Sequence, residues 1–165
     1  MTPESHEVFT AAVVTISDSC SRGERQDLSG PAVADALIRH GFRVETRELV
    51  ADDPIKIQNL LIRLAQEVRL IVTTGGTGIG PRDVTPESTR AVCEKLLDGI
   101  AERMRSEGVK KTPFAALSRG LCGTRGRAII LNLPGSPSGA VESLESVVAL
   151  LPHALNLLDG KTEHR

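Results

Sequence analysis

The sequence predicts an α/β fold: a mainly parallel sheet with helices on both of its faces. Three observations carry this. Continuous apolar runs rich in β-branched residues recur at 11–16, 70–74 and 128–133, the composition of strands buried on both sides. Amphipathic stretches with helical spacing separate them, and strands alternating with helices pair in parallel through crossovers. Each run ends in polar or glycine-rich residues, and ligands on such sheets collect beyond the carboxyl ends of the strands.

The elements follow in order. Ala11-Ala12-Val13-Val14-Thr15-Ile16 reads as a buried strand, and polar turn-forming residues fill 17–30. Pro31 to His40 reads as a helix, with Val33, Ala36 and Leu37 on one face and Gly41 as its C-cap. Residues 42–50 alternate as a strand. Asp53 and Pro54 then supply an N-cap and a first helical residue, followed by the stripe Ile57, Leu60, Leu61, Leu64 and Val68. Leu70–Thr74 is the next strand. A helix is expected from Pro86, capped by Thr85, to about Leu97, then a helical stretch at 100–107 and a loop from Ala115 to Gly126. After the strand at 128–133, Ser136 and Pro137 open a last helix. Val141, Leu144, Val148, Leu151, Leu155 and Leu158 form its stripe, with a kink or split at Pro152.

At 165 residues the chain is expected to form one domain over 1–165, with loosely ordered tails at 1–8 and 160–165. A net charge of −1 gives no electrostatic case for nucleic acid or an anionic membrane. Three Phe, no Trp and no Tyr leave no platform for stacking bases. The apolar runs read as too short to span a bilayer, and residues 1–7 hold no signal-peptide core. Cys20, Cys93 and Cys122 are odd in number and far apart, which fits a reducing cytoplasm rather than a disulfide framework. His6, His40, His153 and His164 form no ligand-spaced pair.

The most informative segment is Thr73-Thr74-Gly75-Gly76-Thr77-Gly78-Ile79-Gly80-Pro81-Arg82-Asp83-Val84-Thr85-Pro86-Glu87. An apolar run feeds glycines, an acid and a proline-started helix, which is how a parallel sheet offers backbone N–H groups to an anion. No Lys follows the glycines, so this is not a Walker loop, and Pro81 stands where the third glycine of a dinucleotide fingerprint belongs. The simpler alternative is a glycine-rich turn that binds nothing.

The fold would bring four segments to one edge: Ser17-Asp18-Ser19, Asp52-Asp53, Gly75–Asp83 and Pro134-Gly135-Ser136. Ser17, Asp18 and Ser19 offer hydroxyls and a carboxylate, or a serine-rich turn. Asp53 has a capping role, which leaves Asp52 as the better functional candidate. Asp83 could hold a cation or support the turn before Pro86. Two acids beside a phosphate cradle suit Mg²⁺, which prefers one or two carboxylates plus substrate phosphates. Ser118 and Arg119 lie in a glycine-containing loop, where Arg could grip a phosphate and where a solvent-exposed turn is the simpler reading.

Together, Thr15–Ser19, Asp27-Leu28-Ser29-Gly30, Gly75–Gly78, Pro81–Glu87, Leu117-Ser118-Arg119-Gly120 and Asn132-Leu133-Pro134-Gly135-Ser136-Pro137 resemble the molybdopterin adenylyltransferase family of the MoaB/Mog type, similar to the G domain of gephyrin. The resemblance covers roughly residues 10–158. It implies a three-layer α/β/α sandwich and a homotrimer. It implies Mg²⁺-dependent transfer of AMP from ATP to the terminal phosphate of molybdopterin, releasing pyrophosphate. Asp52 and Asp83 match the family's two required acids, and Ser118 its substrate-binding serine. Gly75, Gly76, Thr77 and Gly78 match the nucleotide and pterin cleft, as do Asn132, Pro134, Gly135 and Ser136. Asp98-Gly99 departs from the Pro-Gly that relatives often carry, and reads as a helix-end turn. Two rivals stand beside this expectation: a non-catalytic molybdopterin carrier, and a hydrolase similar to the CinA domain. Docking to a molybdenum insertase is left open.

Overall fold

A computed structural model describes residues 7–162. The expected tails at 1–8 and 160–165, with His6 and His164, lie largely outside these residues. Six strands form one sheet: β1 (Thr10–Ile16), β2 (Arg43–Val50), β3 (Leu70–Thr74), β4 (Lys95–Leu96), β5 (Cys122–Arg125) and β6 (Ala128–Leu133). Their order is β2-β1-β3-β6-β5-β4, parallel from β2 to β6 and antiparallel at β5 and β4. The longer helices are α2 (Ser29–Arg39), α3 (Pro54–Glu67), α4 (Thr85–Val92), α5 (Asp98–Gly108), α6 (Pro137–Val147) and α7 (Leu151–Leu158), after a single turn, α1 (Asp18–Ser21).

The period of two along each strand divides the core. Ala11, Val13, Leu70, Val72, Ile129 and Leu131 face α2, α5, α6 and α7 on one side. Ala12, Val14, Ile71 and Ile130 face the other side, against Ile57, Leu61 and Leu64 of α3 and Val92 of α4. The three-layer α/β/α sandwich is thus the observed architecture. Strand β1 feeds β2 on one side of itself and the chain then crosses to β3 on the other. The β1 and β3 carboxyl ends therefore flank the point where the sheet reverses direction, the place where such folds bind ligands.

Several expectations are corrected. The helix after Asp83 ends at Val92, short of Leu97, because Glu94 N–H donates to the Thr124 carbonyl and Leu97 N–H to that of Cys122. These bonds draw 95–96 onto the sheet as strand β4. Thr85 does not cap that helix. It is the first helical residue, and its hydroxyl donates to the Gly75 carbonyl at 3.0 Å. The expected loop 115–126 instead contains a 3-10 turn, Pro113–Leu117, and strand β5. Asp98-Gly99 begins α5 rather than ending a helix, and Asp98 lies in a first turn where negative charge is favoured.

The last helix is split, as Pro152 suggests. Pro152 cannot donate to the carbonyl of Val148, and a 3-10 segment at Val148–Leu150 divides α6 from α7. By length and composition Pro137–Leu158 is long and apolar enough to cross a membrane, against the expectation that every apolar run is too short. Here Leu144, Leu151 and Leu155 are fully buried in the core beside the sheet.

Candidate active site

The site grows from the strand ends. Ser17 follows β1 and caps α1, its Oγ accepting from Cys20 N–H at 3.2 Å and lying 3.2 Å from the Ser19 hydroxyl. Asp52 follows β2, and Asp53 beside it caps α3 by accepting from Lys56 N–H at 3.0 Å. Capping therefore occupies Asp53 and leaves Asp52 free to turn inward. Asp18 and Asp52 bond each other reciprocally: Asp18 N–H donates to Asp52 Oδ2 and Asp52 N–H to Asp18 Oδ1, both at 2.9 Å.

Strand β3 then delivers the glycine loop. Gly75 and Gly76 adopt φ of +96° and +67°, backbone that side-chain-bearing residues rarely take. A Cβ on Gly75 would strike the Ile16 carbonyl oxygen, and one on Gly76 would strike Thr85 Oγ1 and stand 3.1 Å from Asp52 Oδ1. The loop is thus pressed between the end of β1, the head of α4 and the Asp52 carboxylate. Farther along, Asp83 Oδ2 accepts from Gly80 N–H at 2.9 Å, which curls 80–83 into a tight turn. The Pro134–Ser136 turn after β6 meets this loop, since a Cβ on Gly135 would touch Gly75 Cα at 3.4 Å. Ser136 caps α6, accepting from Gly139 N–H at 3.2 Å.

The electrostatics are uneven. Burial pushes the Asp52 carboxyl above its ordinary range, and the negative charges of Asp18 and Asp83 push the same way against the Asp18 N–H bond. Asp18 is held below the ordinary range, mainly by its hydrogen bond with Arg82. Arg82 Nε and Nη2 donate to Asp18 Oδ2 and Oδ1 at 3.0 and 3.2 Å. Among the described residues, no three His, Cys, Asp or Glu side chains are grouped so as to hold a metal ion by themselves. Burial raises the Cys93 thiol to about 11 and that of Cys122 to about 12, so neither is poised as a thiolate nucleophile.

On the far side of the glycine loop opens a cavity of about 530 Å³, walled by Thr77, Gly78, Phe114, Ser118, Asn132 and Pro134 among others. Its volume suits a small heterocyclic ligand. Of the four converging segments, Thr77, Gly78, Pro134 and Ser136 line this cavity, whereas Ser17, Asp18, Ser19, Asp52 and Asp83 stand outside its lining, and the glycine loop connects the two groups.

Residues 12–153 match the family described as "Probable molybdopterin binding domain". The chain belongs to this molybdopterin-binding family. It is 41% identical over 152 residues to the molybdopterin adenylyltransferase of Helicobacter pylori strain J99, covering 90% of this chain and 86% of that protein. It is 44% identical over 157 residues to the molybdenum cofactor synthesis protein cinnamon of Drosophila melanogaster. That match covers 92% of this chain but 26% of the longer protein, so the chain spans about a quarter of that relative. Among solved structures, the molybdopterin biosynthesis enzyme MoaB of Thermus thermophilus has 51% identity and a TM-score of 0.88, over 93% of this chain and 98% of that one.

In this molybdopterin-binding domain the remaining motif residues knit the cleft together. Arg119 Nε donates to the Gly78 carbonyl at 2.8 Å, Nη2 to the Asp83 carbonyl at 3.0 Å, and Nη1 pairs with Glu87. Its guanidinium thus fastens the glycine loop to the 118–120 segment. Ser118 Oγ accepts from Gly120 N–H at 3.3 Å at the cavity wall. Asn132 is 1% exposed and ties β6 to Thr73, Thr89 and the Leu121 N–H.

Three contributors escaped the sequence reading. Asp27 accepts from the Thr15 hydroxyl at 2.8 Å and Gly30 N–H at 2.9 Å, fixing α2 beneath the cleft. Thr85 supports Gly75, as described. Arg105 of α5 donates to the Gly120 carbonyl at 2.8 Å behind the cavity wall. Arg105 carried no motif signal, whereas Asp27 and Thr85 stood in quoted motifs with no contact to read.

Proposed function

We propose that this chain is a molybdopterin adenylyltransferase of molybdenum cofactor biosynthesis. It transfers AMP from ATP to the terminal phosphate of molybdopterin. A terminal phosphate oxygen of molybdopterin attacks the α-phosphorus of ATP, the bond to the β-phosphate oxygen breaks, and pyrophosphate leaves. The observation that carries this reading is the glycine loop as a shared wall. Thr77 and Gly78 line the cavity, while Gly76 lies against Asp52 and Asp83 closes the loop. A pterin in the cavity and a nucleotide beside the acids would meet across it. That the Helicobacter pylori relative is named for this activity supports the same reaction class.

Each residue has a task in this reading. Backbone N–H groups of Gly76, Thr77 and Gly78 face the phosphates, Gly75 N–H being held by the Leu133 carbonyl at 3.1 Å, and Ser118, Asn132 and Pro134–Ser136 shape the pterin side. Ser17, Asp18 and Ser19 border the nucleotide side. Holding both substrates in line can lower the barrier by several kcal/mol through orientation alone. Arg119 positions the loop from behind through its bonds to Gly78 and Asp83.

Asp52 and Asp83 fit Mg²⁺. They are hard oxygen donors, and the half-buried Asp52 carboxyl, crowded by other acids, gains from a cation. Two carboxylates leave the remaining ligands to phosphates and water. When bound, the ion neutralises the phosphates and stabilises the leaving pyrophosphate. A homotrimer, a cytoplasmic location and docking to a molybdenum insertase complete the reading, supported by family resemblance and by the three free cysteines.

A single-turnover assay tests it, with purified protein, molybdopterin, Mg²⁺ and α-labelled ATP. Labelled adenylyl-molybdopterin is expected from the wild type and little from Asp52→Asn or Asp83→Asn. Pterin binding without labelled product would move the chain to the carrier reading. Hydrolysis of ADP-ribose in the absence of pterin would favour the hydrolase.

A further inference from the structure

Arg82 and Arg119 both reach the polar edge of the sheet, and they are engaged differently. Arg119 bonds two backbone carbonyls and Glu87, so moving it would dismantle the loop. Arg82 rides on the glycine loop between Gly80 and Asp83, and its hydrogen bonds among the described residues go to one group, the Asp18 carboxylate. Its side chain is 69% exposed, whereas that of Asp18 is 22% exposed. Nothing in the backbone depends on the pair: Asp18 keeps its bond from Asp52 N–H with or without Arg82.

The surroundings give this pair a use. Asp18, Asp52 and Asp83 crowd one edge of the cleft, and the charges of Asp52 and Asp53 also act on Arg82. An incoming polyphosphate would be repelled by these acids unless a cation met it. A guanidinium that binds a carboxylate through two N–H groups binds a phosphate with the same fork geometry. Arg82 has the reach and exposure to change partners at little structural cost.

We propose that Arg82 is the nucleotide-gripping arginine of this site, and that Asp18 holds it in waiting until the polyphosphate of ATP takes the carboxylate's place. This rests on the adenylyl-transfer reading and adds to it a residue and an exchange. Asp18 is then a competitor for Arg82 in the free protein, not merely an edge of the nucleotide site.

Calorimetric titration of the full chain with ATP, without pterin and with or without Mg²⁺, tests the exchange. Arg82→Ala is expected to weaken ATP binding about tenfold or more, the weight of a bidentate charged contact. Arg82→Lys should recover only part. Asp18→Asn should tighten Mg²⁺-free binding, because it releases Arg82, and its amide oxygen can still accept from Asp52 N–H. In the double variant that gain should vanish, since no arginine remains to be released. Unchanged affinity in Arg82→Ala, with a thermal midpoint like the wild type's, would overturn the assignment. A gain from Asp18→Asn that persists in the double variant would show simple repulsion in place of exchange. If the wild type binds no ATP at all, the adenylyl-transfer reading itself falls and takes this one with it. Binding that survives Arg82→Ala removes only the role of Arg82.

Discussion

Asp18 and Asp52, 34 residues apart, each accept a 2.9 Å hydrogen bond from the other's backbone N–H. The bonds lock the ends of β1 and β2 together and face two carboxylates toward one cleft. Burial and neighbouring acids raise the Asp52 carboxyl. A carboxyl raised on folding binds its proton more tightly in the folded chain. Its contribution to stability is therefore present below its ordinary value of 3.8 and is lost as pH rises through the higher folded value. Asp52→Asn keeps the acceptor for Asp18 N–H and removes the charge. The variant should melt slightly above the wild type at pH 7, with the difference closing on acidification below pH 4. Adenylyl transfer should fall about a hundredfold, the scale of removing one electrostatic anchor. Thermal melts from pH 3 to 8 beside single-turnover rates check both; a variant less stable at pH 7 would refute the account of Asp52.

Gly75 bears the sharpest backbone demand in the cleft. Its φ of +96° disfavours any side chain, and a Cβ would meet the Ile16 carbonyl. Gly75→Ala should destabilise the fold by about 2 kcal/mol or more, since the clash is with backbone and no rotamer relieves it. By contrast, Gly99→Ala, with open space around its Cβ at the start of α5, should be neutral or mildly stabilising. Urea denaturation of the two variants makes the comparison.

In the proposed reading Arg119 acts through the loop whose carbonyls it holds. Arg119→Ala removes the bonds to the Gly78 and Asp83 carbonyls and to Glu87, which loosens the backbone that carries the Asp83 carboxylate. Displacements of about 1 Å at a reacting centre can cost about a hundredfold in rate, so kcat should fall by roughly ten- to a hundredfold. Lysine cannot span two carbonyls and a carboxylate, so Arg119→Lys should recover little. A loss confined to ATP affinity with kcat intact would instead mean that Arg119 touches the nucleotide.

What was legible in the sequence follows from where specificity is local. Strands at 70–74 and 128–133 were readable to the residue, because burial on both faces demands an unbroken apolar run. Asp53-Pro54 and Ser136-Pro137 were readable because capping is a contact across three residues. In the stretch 92–126 only the helix expected at 100–107 was readable, and it lies within α5. β4 has two residues, β5 contains Gly123, and both exist through pairing with a neighbour that the local sequence does not name. The same holds in the site. The four converging loops could be inferred from topology, but the Arg82–Asp18 pair crosses 64 residues and the aim of Arg119 depends on the loop it holds.

Asn132 shows how a motif residue can serve the site from inside the core. Its Nδ2 donates to the hydroxyls of Thr73 at 3.0 Å and Thr89 at 2.9 Å, and its Oδ1 accepts from Leu121 N–H at 3.2 Å. One side chain thus joins β3, α4 and the segment leading into β5. Asn132→Leu keeps the volume but strands the N–H of the buried Leu121. Unsatisfied buried donors cost about 1–3 kcal/mol, and two hydroxyl partners are lost as well, so a destabilisation of about 3 kcal/mol is expected. Because Asn132 backbone also packs against Gly120, the 118–120 wall should loosen and the KM for molybdopterin should rise more than that for ATP. Asn132→Asp preserves the acceptor for Leu121 N–H yet buries a charge, so it should be the less stable of the two. If instead the leucine variant keeps full stability and loses pterin binding alone, Asn132 reads the pterin directly and its buried network is incidental.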